Sequence, residues 1–317
     1  MPDTATDVTT AKPASPWALI ASRRFGPLLA GLSVGAFADN MFRSALVIFV
    51  QFSLYAALIA QAAPEAADAL KREAASIAAL APALFMLPYF LFSATAGQLA
   101  DKFDKAWWMK RLKFTEVLVM LVGAIAMNSG SIAFMMASLA LAGTIAAFYS
   151  PVKYAILPQH LNPKELLTGN AIVGAATNLA ILFGTVAGSI LVMMDYGTHI
   201  TAAVMVTLAT IGWLASLYIL PAPATAKDLK VNPNIVGETV NILKQATGQP
   251  GITLVIAGNA WFWFVSTLYI GQMPTMTKDV LHASEGVFNL FFMLFSVGVA
   301  AGALLVRRLQ QRQPRTA

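Results

Sequence analysis

The chain has no cysteine, only three histidines and few charged residues. Without cysteine there is no disulfide framework, no thiolate nucleophile and no cysteine-bound zinc. The histidines, at positions 160, 199 and 282, are far apart in sequence, so their spacing does not indicate a metal site. Charged residues make up 11% of the 317 residues, whereas a typical soluble domain has about 25%. A soluble protein with a single core is therefore excluded.

Long hydrophobic runs account for most of the chain. Hydrophobic residues make up 58% of the sequence, and they gather in segments close to the length of about 20 residues that a helix needs to cross a bilayer. The segments lack the alternation of a membrane β-barrel, so they are predicted to be helices, which satisfy their own backbone in lipid. The predicted spans are 26–50, 77–100, 112–128, 131–149, 170–194, 200–220, 252–273 and 287–306.

The basic residues predict how these spans are oriented. The formal net charge is +6, but Lys and Arg form short clusters between apolar runs instead of one basic face, which argues against a nucleic-acid partner. Basic residues concentrate on the cytoplasmic side of membrane proteins. One predicted side holds seventeen of the twenty-one, namely Lys12, Arg23, Arg24, Lys102, Lys105, Lys110, Arg111, Lys113, Lys153, Lys164, Lys227, Lys230, Lys244, Arg307, Arg308, Arg312 and Arg315.

Composition divides the chain into five segments. Residues 1–24 are polar and contain proline, which predicts a disordered cytoplasmic tail. Residues 25–220 contain six spans and are expected to form an N-terminal bundle. Residues 221–251 are rich in Pro, Lys and Asn, which predicts a cytoplasmic linker with a short amphipathic helix near 234–246. Residues 252–306 hold two spans that would begin a second bundle, and 307–317 form a basic cytoplasmic tail.

The loop after the second span has a distinctive pattern, GQLADKFDK, from Gly97 to Lys105. Gly97 would let two helices approach closely. Asp101 lies at the C-terminal end of a helix, where the helix dipole disfavours a carboxylate unless a cationic partner is present. Lys102, Lys105 or a neighbouring helix N-terminus would supply that partner. The alternative is an ordinary basic anchor with incidental acids.

The pattern of Gly97, Leu99, Asp101 and Lys102 resembles the signature loop of the major facilitator superfamily. Two further stretches, GAFADNMFRSALVIF at 35–49 and YSPVKYAILPQHL at 149–161, resemble the lysophospholipid-transporter branch of that superfamily. The resemblance covers about residues 20–306. It implies twelve spans in two bundles, whereas this sequence has eight, so the chain is expected to be incomplete. It also implies that the partner of such a membrane portion can be a phospholipid acyltransferase.

The first span carries polar residues at membrane depth, namely Asp39, Asn40 and Arg43. An ionisable group there costs about 2.5–3.5 kcal/mol on insertion scales, so these groups imply a partner, a cavity or both. Asp39 and Arg43 are four residues apart and share a helix face. We expect them to line a substrate cavity, with Asn40 free to bond a neighbouring helix. The alternative is a structural ion pair that satisfies itself.

Three other positions are candidate substrate contacts. Lys153 and Tyr154, with Tyr149 nearby, would meet a phosphate near the cytoplasmic interface; the alternative is a lysine that extends through an aromatic belt. Asn178 in the fifth span would line the cavity or make a polar helix contact. Trp263, in the aromatic segment NAWFWFVSTLYIGQ, would hold acyl chains, or it would belong to an interfacial belt.

Pairs of glycines four residues apart predict close helix packing. Gly184 and Gly188 lie in the fifth span, and Gly298 and Gly302 lie in the eighth. In the facilitator fold that the resemblance implies, spans five and eight face each other across the two halves. The two glycine pairs are therefore expected on a sliding interface.

Together these features predict an all-α membrane bundle that transports a small molecule instead of catalysing a reaction. There is no P-loop and no G-x-S-x-G segment, and no cofactor or metal is indicated. The resemblance implies a lysophospholipid cargo, moved from the outer to the inner leaflet of a bacterial inner membrane by rocking of two bundles. The alternatives are another small molecule or drug as cargo, a non-transporting membrane domain linked to an acyltransferase, and a decayed product without activity.

The charge bias predicts that both termini are cytoplasmic and that 274–286 is periplasmic. Because the chain has no native cysteine, single introduced cysteines report accessibility without background. A thiol at position 104 should react with an impermeant reagent only after the membrane is opened, whereas one within 274–286 should react in intact cells. Labelling of position 104 from the periplasm would contradict this topology.

Overall fold

The computed structural model describes residues 15–232, 234–248 and 251–312, and the side chains of Gln245 and of 299–312 lie outside the described part. Every regular element in these residues is helical. Two π-helices, Phe49–Leu54 and Met276–Val280, follow spanning helices directly. The α-helices are α1 Pro16–Ile20, α2 Gly26–Ile48, α3 Tyr55–Gln61, α4 Pro64–Lys102, α5 Lys105–Ser129, α6 Ile132–Ala155, α7 Leu157–His160, α8 Leu166–Val192, α9 Gly197–Leu217, α10 Ile235–Thr247, α11 Ile252–Thr275 and α12 Glu285–Arg312.

Seven helical segments within the described residues are long and apolar enough to cross a membrane. They overlap the first seven predicted spans, of which 131–149, 170–194 and 200–220 extend one to three residues past the helical segment. The prediction of an all-α membrane bundle is confirmed. The eighth predicted span lies within α12, whose apolar part with described side chains, Glu285–Gly298, is shorter than a full span. The helix α4 has 39 residues, which at 1.5 Å per residue is about 58 Å. Its N-terminal turns therefore extend beyond the hydrocarbon core.

Local capping explains where several helices begin and end. The Asp104 carboxylate accepts a hydrogen bond from the Trp107 N–H at the start of α5, 2.8 Å away, as an N-cap residue does. Gly130 ends α5 in the left-handed conformation, with φ 68°, which glycine adopts without steric cost. Ser131 then caps α6. The connection between α5 and α6 is short because these two caps are adjacent.

The helices pack around α2, which contacts α8 and α9, while α4 pairs with α6 and α5 packs against both α6 and α9. Small residues permit the closest approaches. A Cβ atom at Gly188 would overlap the backbone carbonyl of Met41 on α2, and one at Gly184 would overlap the carbonyl of Phe37. A Cβ atom at Gly143 on α6 would likewise overlap the backbone carbonyl of Phe85 on α4.

The predicted glycine interface between spans five and eight is therefore wrong. Gly184 and Gly188 face α2, the first span, and a Cβ atom at Gly298 would meet nothing within 4 Å among the described atoms. The surroundings of Gly302 lie outside the described residues. The helices α8 and α12 do contact each other, and the contact includes a hydrogen bond from the Ser189 hydroxyl to Asn289 Oδ1. Among the described residues, a polar side-chain contact therefore joins these two helices.

The segments between and beyond the spans differ in part from the prediction. The predicted amphipathic helix near 234–246 is confirmed as α10. Within the predicted tail 1–24, residues 1–14 lie outside the described part, but α1 is helical because Ser15 caps it and Leu19 is buried. The helix α12 continues to Arg312, past the predicted start of the basic tail at 307. Residues 313–317 lie outside the described part.

Gly188→Ala should lower the thermal stability of the purified protein in detergent. The added methyl group would force α8 away from the Met41 carbonyl, and overpacking of this kind costs about 1–3 kcal/mol. Gly174→Ala on the same helix is the matched control, since a Cβ atom there meets nothing within 4 Å. That variant should be neutral or stabilised by up to about 1 kcal/mol. Equal destabilisation of both variants would contradict the close approach of α2 and α8.

Candidate functional site

The polar residues of α2 form a chain of hydrogen bonds along the helix. The Arg43 guanidinium donates to Asn40 Oδ1, and the Asn40 amide donates to the carbonyl of Ala36, 2.7 Å away. The guanidinium also lies over the ring of Phe85 on α4, 5.6 Å from its centroid. Arg43 is therefore held by one hydrogen bond and one aromatic face, and its remaining N–H donors have no acceptor among the described residues.

The alternative interpretation, a structural ion pair of Asp39 with Arg43, is not supported, because no such salt bridge is formed among the described residues, although the two residues do interact electrostatically. Arg43 lines a cavity between the helices, whereas Asp39 and Asn40 are not among its lining residues. The interpretation of Asn40 as a contact to a neighbouring helix is also wrong, because Asn40 accepts from Arg43 on its own helix. One carboxylate oxygen of Asp39, Oδ1, is buried without a hydrogen-bond partner among the described residues. The hydroxyl of Ser44 on the same helix is in the same state, and a buried unpaired polar group is costly.

Arg43 lines a narrow cavity at the meeting point of five helices. The wall of the cavity is mostly apolar, and its polar groups are Arg43 and Ser44 on α2 and Thr185 on α8. The Thr185 hydroxyl has no hydrogen-bond partner among the described residues. The remaining wall comes from α2, α4, α11 and α12, through Val47, Ala78, Pro82, Ile270, Gly271, Pro274 and Phe288. The cavity has a volume of about 30 Å³, which is room for one or two water molecules. A guanidinium in an apolar wall suits a ligand with an anionic group and a hydrocarbon part, but such a ligand would enter only after the surrounding helices move apart.

A buried ion pair lies beside this segment. Lys113 Nζ on α5 is 2.6 Å from Glu116 Oε2 one turn later, and both side chains are almost fully buried. The ammonium also lies 4.7 Å from the ring centroid of Tyr149 on α6. The pair is packed against Gly35 on α2, where an added Cβ atom would overlap Lys113 Nζ. Asp39, one turn after Gly35, interacts electrostatically with both members of the pair.

The structure gives Lys113 a buried partner that the sequence interpretation did not include. Lys113 was counted among the cytoplasmic basic residues, because the third span was predicted to begin at 112. The helix α5 in fact begins at Lys105, so Lys113 lies eight residues, about 12 Å, along it. The sequence did contain a signal for this ion pair, namely the spacing of Lys113 and Glu116. Two opposite charges three residues apart in an apolar helix can neutralise each other.

The structure keeps Lys153 and Tyr154 together but separates Tyr149 from the predicted phosphate contact. Lys153 Nζ lies over the ring of Tyr154, 4.9 Å from the centroid, and Tyr154 is half exposed. Tyr149 is instead buried beside Lys113, and its hydroxyl has no hydrogen-bond partner among the described residues. Pro151 lies within α6. Lys153 and Tyr154 stay together, but Tyr149 belongs to the buried pair.

Asn178 and Trp263 both lie on exposed surfaces. Asn178 is exposed on α8. Trp263 is half exposed on α11 and packs edge-on against Phe262. Neither residue lines the cavity beside Arg43. Their roles as substrate contacts therefore remain predictions.

Hydrogen bonds join the loop between α4 and α5 to the segment that follows α9. The Thr225 hydroxyl donates to Asp101 Oδ1, 3.3 Å away, and accepts from Lys105 Nζ at 2.6 Å. The N–H groups of Thr225 and Ala226 both donate to the Asp101 carbonyl. The cation predicted for Asp101 is thus Lys105, but it acts through a hydroxyl. Lys105 is only 1% exposed, so it is a structural residue and not a surface charge.

Two further hydrogen bonds join the same loop to the segment after α9. The Ala222 N–H donates to Asp104 Oδ2 at 3.1 Å, and the Lys105 N–H donates to the Ala222 carbonyl at 2.8 Å. Lys102 is the last residue of α4. The predicted close approach at Gly97 is wrong, since a Cβ atom there would meet nothing within 4 Å among the described atoms.

At the opposite end of α2, the two π-helices contact each other. The Gln51 side-chain amide donates to the Thr275 hydroxyl at 3.0 Å. The Lys278 ammonium donates to the Gln51 backbone carbonyl and lies over the ring of Phe52. A π-helix changes the backbone pairing within a helix and is frequent at functional sites. These contacts were not predicted from the sequence, because nothing in the local residue pattern indicates a π-helix.

Comparison with known proteins places the chain in a family. Residues 33–317 match the family described as Major Facilitator Superfamily. The lysophospholipid transporter LplT of Serratia proteamaculans (strain 568) is 27% identical over 226 residues, which cover 69% of this chain and 54% of that protein. The protein of the same name from Escherichia coli O1:K1 / APEC is 31% identical over 231 residues, with the same coverage. The chain thus spans about half the length of these curated relatives.

A solved structure of the POT family transporter PepTSo is also similar. It is 16% identical, with a TM-score of 0.49, and the match covers 96% of this chain and 56% of that one.

Glu116→Gln should strongly destabilise the protein, because it leaves the Lys113 ammonium buried without its counter-charge. Breaking a buried pair in this way costs about 3–5 kcal/mol, whereas replacing both partners by apolar residues is often neutral or stabilising. Lys113→Met with Glu116→Leu should therefore recover most of the loss. Thermal unfolding in detergent measures both effects.

The exposed pair of Asp68 and Lys71 on α4 provides the matched control, since it has the same spacing and a 3.1 Å separation. Asp68→Asn should change the free energy of unfolding by at most about 1 kcal/mol. A loss for Glu116→Gln no larger than that for Asp68→Asn would show that the buried pair is not a structural requirement.

Proposed function

We propose that this chain, which belongs to the major facilitator superfamily, carries membrane helices of a transporter for lysophospholipids. The cargo would move from the outer to the inner leaflet of a bacterial inner membrane, with both termini of the chain in the cytoplasm. Two curated relatives that share about half their length with the chain are named lysophospholipid transporters. We propose transport without a catalysed reaction.

The observation that carries the proposal is the Arg43 guanidinium in a largely apolar cavity. A lysophospholipid has one acyl chain and a phosphate, and an ethanolamine headgroup adds an ammonium. The guanidinium presents a planar fork of donors suited to phosphate oxygens. Its bond to Asn40 leaves other N–H groups for such a ligand. The apolar wall, which includes Val47, Ile270 and Phe288, suits hydrocarbon.

Asp39 would bind the ammonium of a zwitterionic headgroup. Its Oδ1 atom is buried and has no hydrogen-bond partner, so a positively charged ligand group would satisfy an acceptor that the described residues leave open. Asp39 is one helical turn before Arg43, which matches the short distance between phosphate and ammonium in ethanolamine lipids. In a cavity less screened than water, two such ion pairs would be stronger than in solvent.

The transport step would be the rocking of one helix bundle against another around the cavity. Among the described residues, α11 and α12 contact the first six spans less extensively than those spans contact one another, which supports this. The contact combines the buried side chains of Met273, Phe288 and Phe292 with a few hydrogen bonds. Gln51 with Thr275, and Ser189 with Asn289, join the two sets of helices near the cavity. Hydrogen bonds of this kind break at small cost compared with an interdigitated apolar interface. We propose that 25–220 and 252–306 belong to the two bundles and 221–251 to the linker between them.

The lysophospholipid proposal also has consequences for a partner. A transported lysophospholipid is a substrate for reacylation, so a phospholipid acyltransferase is the partner that we propose. Another facilitator cargo remains the alternative, and a ligand without phosphate would then bind as well as a lysophospholipid. The experiment below separates these two cargoes by the phosphate group.

Arg43→Gln should weaken binding of lysophosphatidylethanolamine by roughly tenfold or more, because a hydrogen bond to a charged group contributes about 1.5–3 kcal/mol. A monoacylglycerol with the same chain lacks the phosphate, so its binding should not change. Both ligands can be measured with brominated acyl chains that quench tryptophan fluorescence of the chain in nanodiscs. Asp39→Asn should lower the preference for ethanolamine over glycerol headgroups.

Arg72→Gln is the control, since Arg72 is exposed on the N-terminal part of α4 and is not among the residues that line the cavity. It should bind both ligands like the unchanged chain. Equal affinities of the unchanged chain for the lysophospholipid and the monoacylglycerol would contradict the phosphate-binding role. So would an Arg43→Gln variant that weakens both ligands to the same extent.

A further inference from the structure

The helix α10 has an apolar stripe that the rest of the described chain leaves uncovered. Val236, Val240 and Leu243 are spaced by four and three residues, so they share one face of the helix. Their exposed fractions are 74%, 42% and 48%. Asn241 lies on the other side of the helix and Lys244 lies at the edge of the stripe, and both are exposed. The helix is therefore amphipathic, but it does not use all of its apolar face for packing.

The position of α10 is fixed at the end of a spanning helix. The N–H of Asn232 donates to Gln98 Oε1 near the end of α4, 2.8 Å away, and the Asn232 amide donates to Glu238 Oε1 at 2.7 Å. Asn234 caps the helix by accepting from the Gly237 N–H. The helix contacts both α4 and α11. Ile235 and Thr239 on the adjoining face are half-buried, so this part of the surface is used for packing.

The chain length keeps α10 close to the membrane surface. Thr247 ends the helix and Ile252 begins α11, a spanning helix. Five residue steps reach at most roughly 18 Å. The first turns of α11 are also apolar and exposed, with Leu254 at 79% and Val255 at 72%. The stripe on α10 is thus continuous along the chain with a surface that faces lipid.

We propose that α10 lies in the interfacial region of the bilayer, with Val236, Val240 and Leu243 in contact with phospholipid. Helices of this type immerse an apolar face at the boundary between headgroups and acyl chains and keep a polar face in water. The linker 221–251 has three lysines and two acids, and one of those acids, Glu238, is bonded to Asn232. Its small positive excess favours anionic lipid headgroups.

This inference gives the linker a mechanical role in addition to joining two bundles. Residues 222–226 are bonded to the loop at Asp101–Lys105, and Asn232 is bonded to α4. An interfacial α10 would anchor the remaining part of the linker in the plane of the membrane. The proposal does not depend on the identity of the transported molecule, because it concerns only the surrounding lipid.

The test uses single cysteines in the full 317-residue chain, which has none of its own. Val240→Cys and Asn241→Cys are neighbours on opposite faces, and each is labelled with a small fluorophore in nanodiscs of phosphatidylethanolamine and phosphatidylglycerol. The label at 240 should be quenched several-fold more by nitroxide-bearing lipids than by aqueous iodide. The label at 241 should show the reverse preference. Val236→Cys and Leu243→Cys should behave like position 240.

Two outcomes would overturn the proposal. If iodide quenches positions 240 and 241 alike, the stripe faces water. If position 240 is protected from both quenchers while 241 is open to iodide, protein covers the stripe instead of lipid. All four side chains are exposed, so loss of folding in the variants is not expected, and the circular dichroism spectrum of each labelled protein checks this directly.

Discussion

The hydrocarbon interior of a membrane offers no hydrogen-bond partner to a peptide group, and the rest of this structure depends on that constraint. It requires each spanning segment to be a helix. Because lipid tails are as apolar as the helices, burial of apolar surface drives helix association only weakly, and close packing must replace it. The contacts of Gly184 and Gly188 with the α2 backbone, and of Gly143 with α4, provide that packing.

The same constraint explains how the few charges within the spans are arranged. Lys113 and Glu116 neutralise each other, and Gly35 leaves the space that the ammonium occupies. Arg43 has a hydrogen bond on its own helix and an aromatic neighbour, and it borders a cavity. Asp39 Oδ1 and Glu116 Oε1, however, are both buried without a hydrogen-bond partner among the described residues. An unsatisfied buried acceptor of this kind is what binding of a cationic group would stabilise.

The two ends of the bundle are held by different means. At the end where α4 finishes, Thr225 joins Asp101 to Lys105, and a short segment after α9 is bonded to the loop along its backbone. At the opposite end, two π-helices meet through Gln51, Thr275 and Lys278. The first set of contacts lies within the first six spans and their linker, whereas the second joins α2 to a later helix. The second set must therefore change if the later helices move.

The sequence by itself determined the class of structure, because the length and apolarity of the runs leave only membrane helices. It also identified the family through the loop at Gly97–Lys102, and the amphipathic helix through its spacing of apolar residues. Only the tertiary structure decided which residues meet. Lys113 was predicted at the start of the third span, whereas it lies about 12 Å along α5 in a buried pair with Glu116. Arg43 is bonded to Asn40 on its own helix, and the partner of Gly184 and Gly188 proved to be α2. Local patterns define the face of a helix, but the neighbour of that face depends on packing among segments distant in sequence.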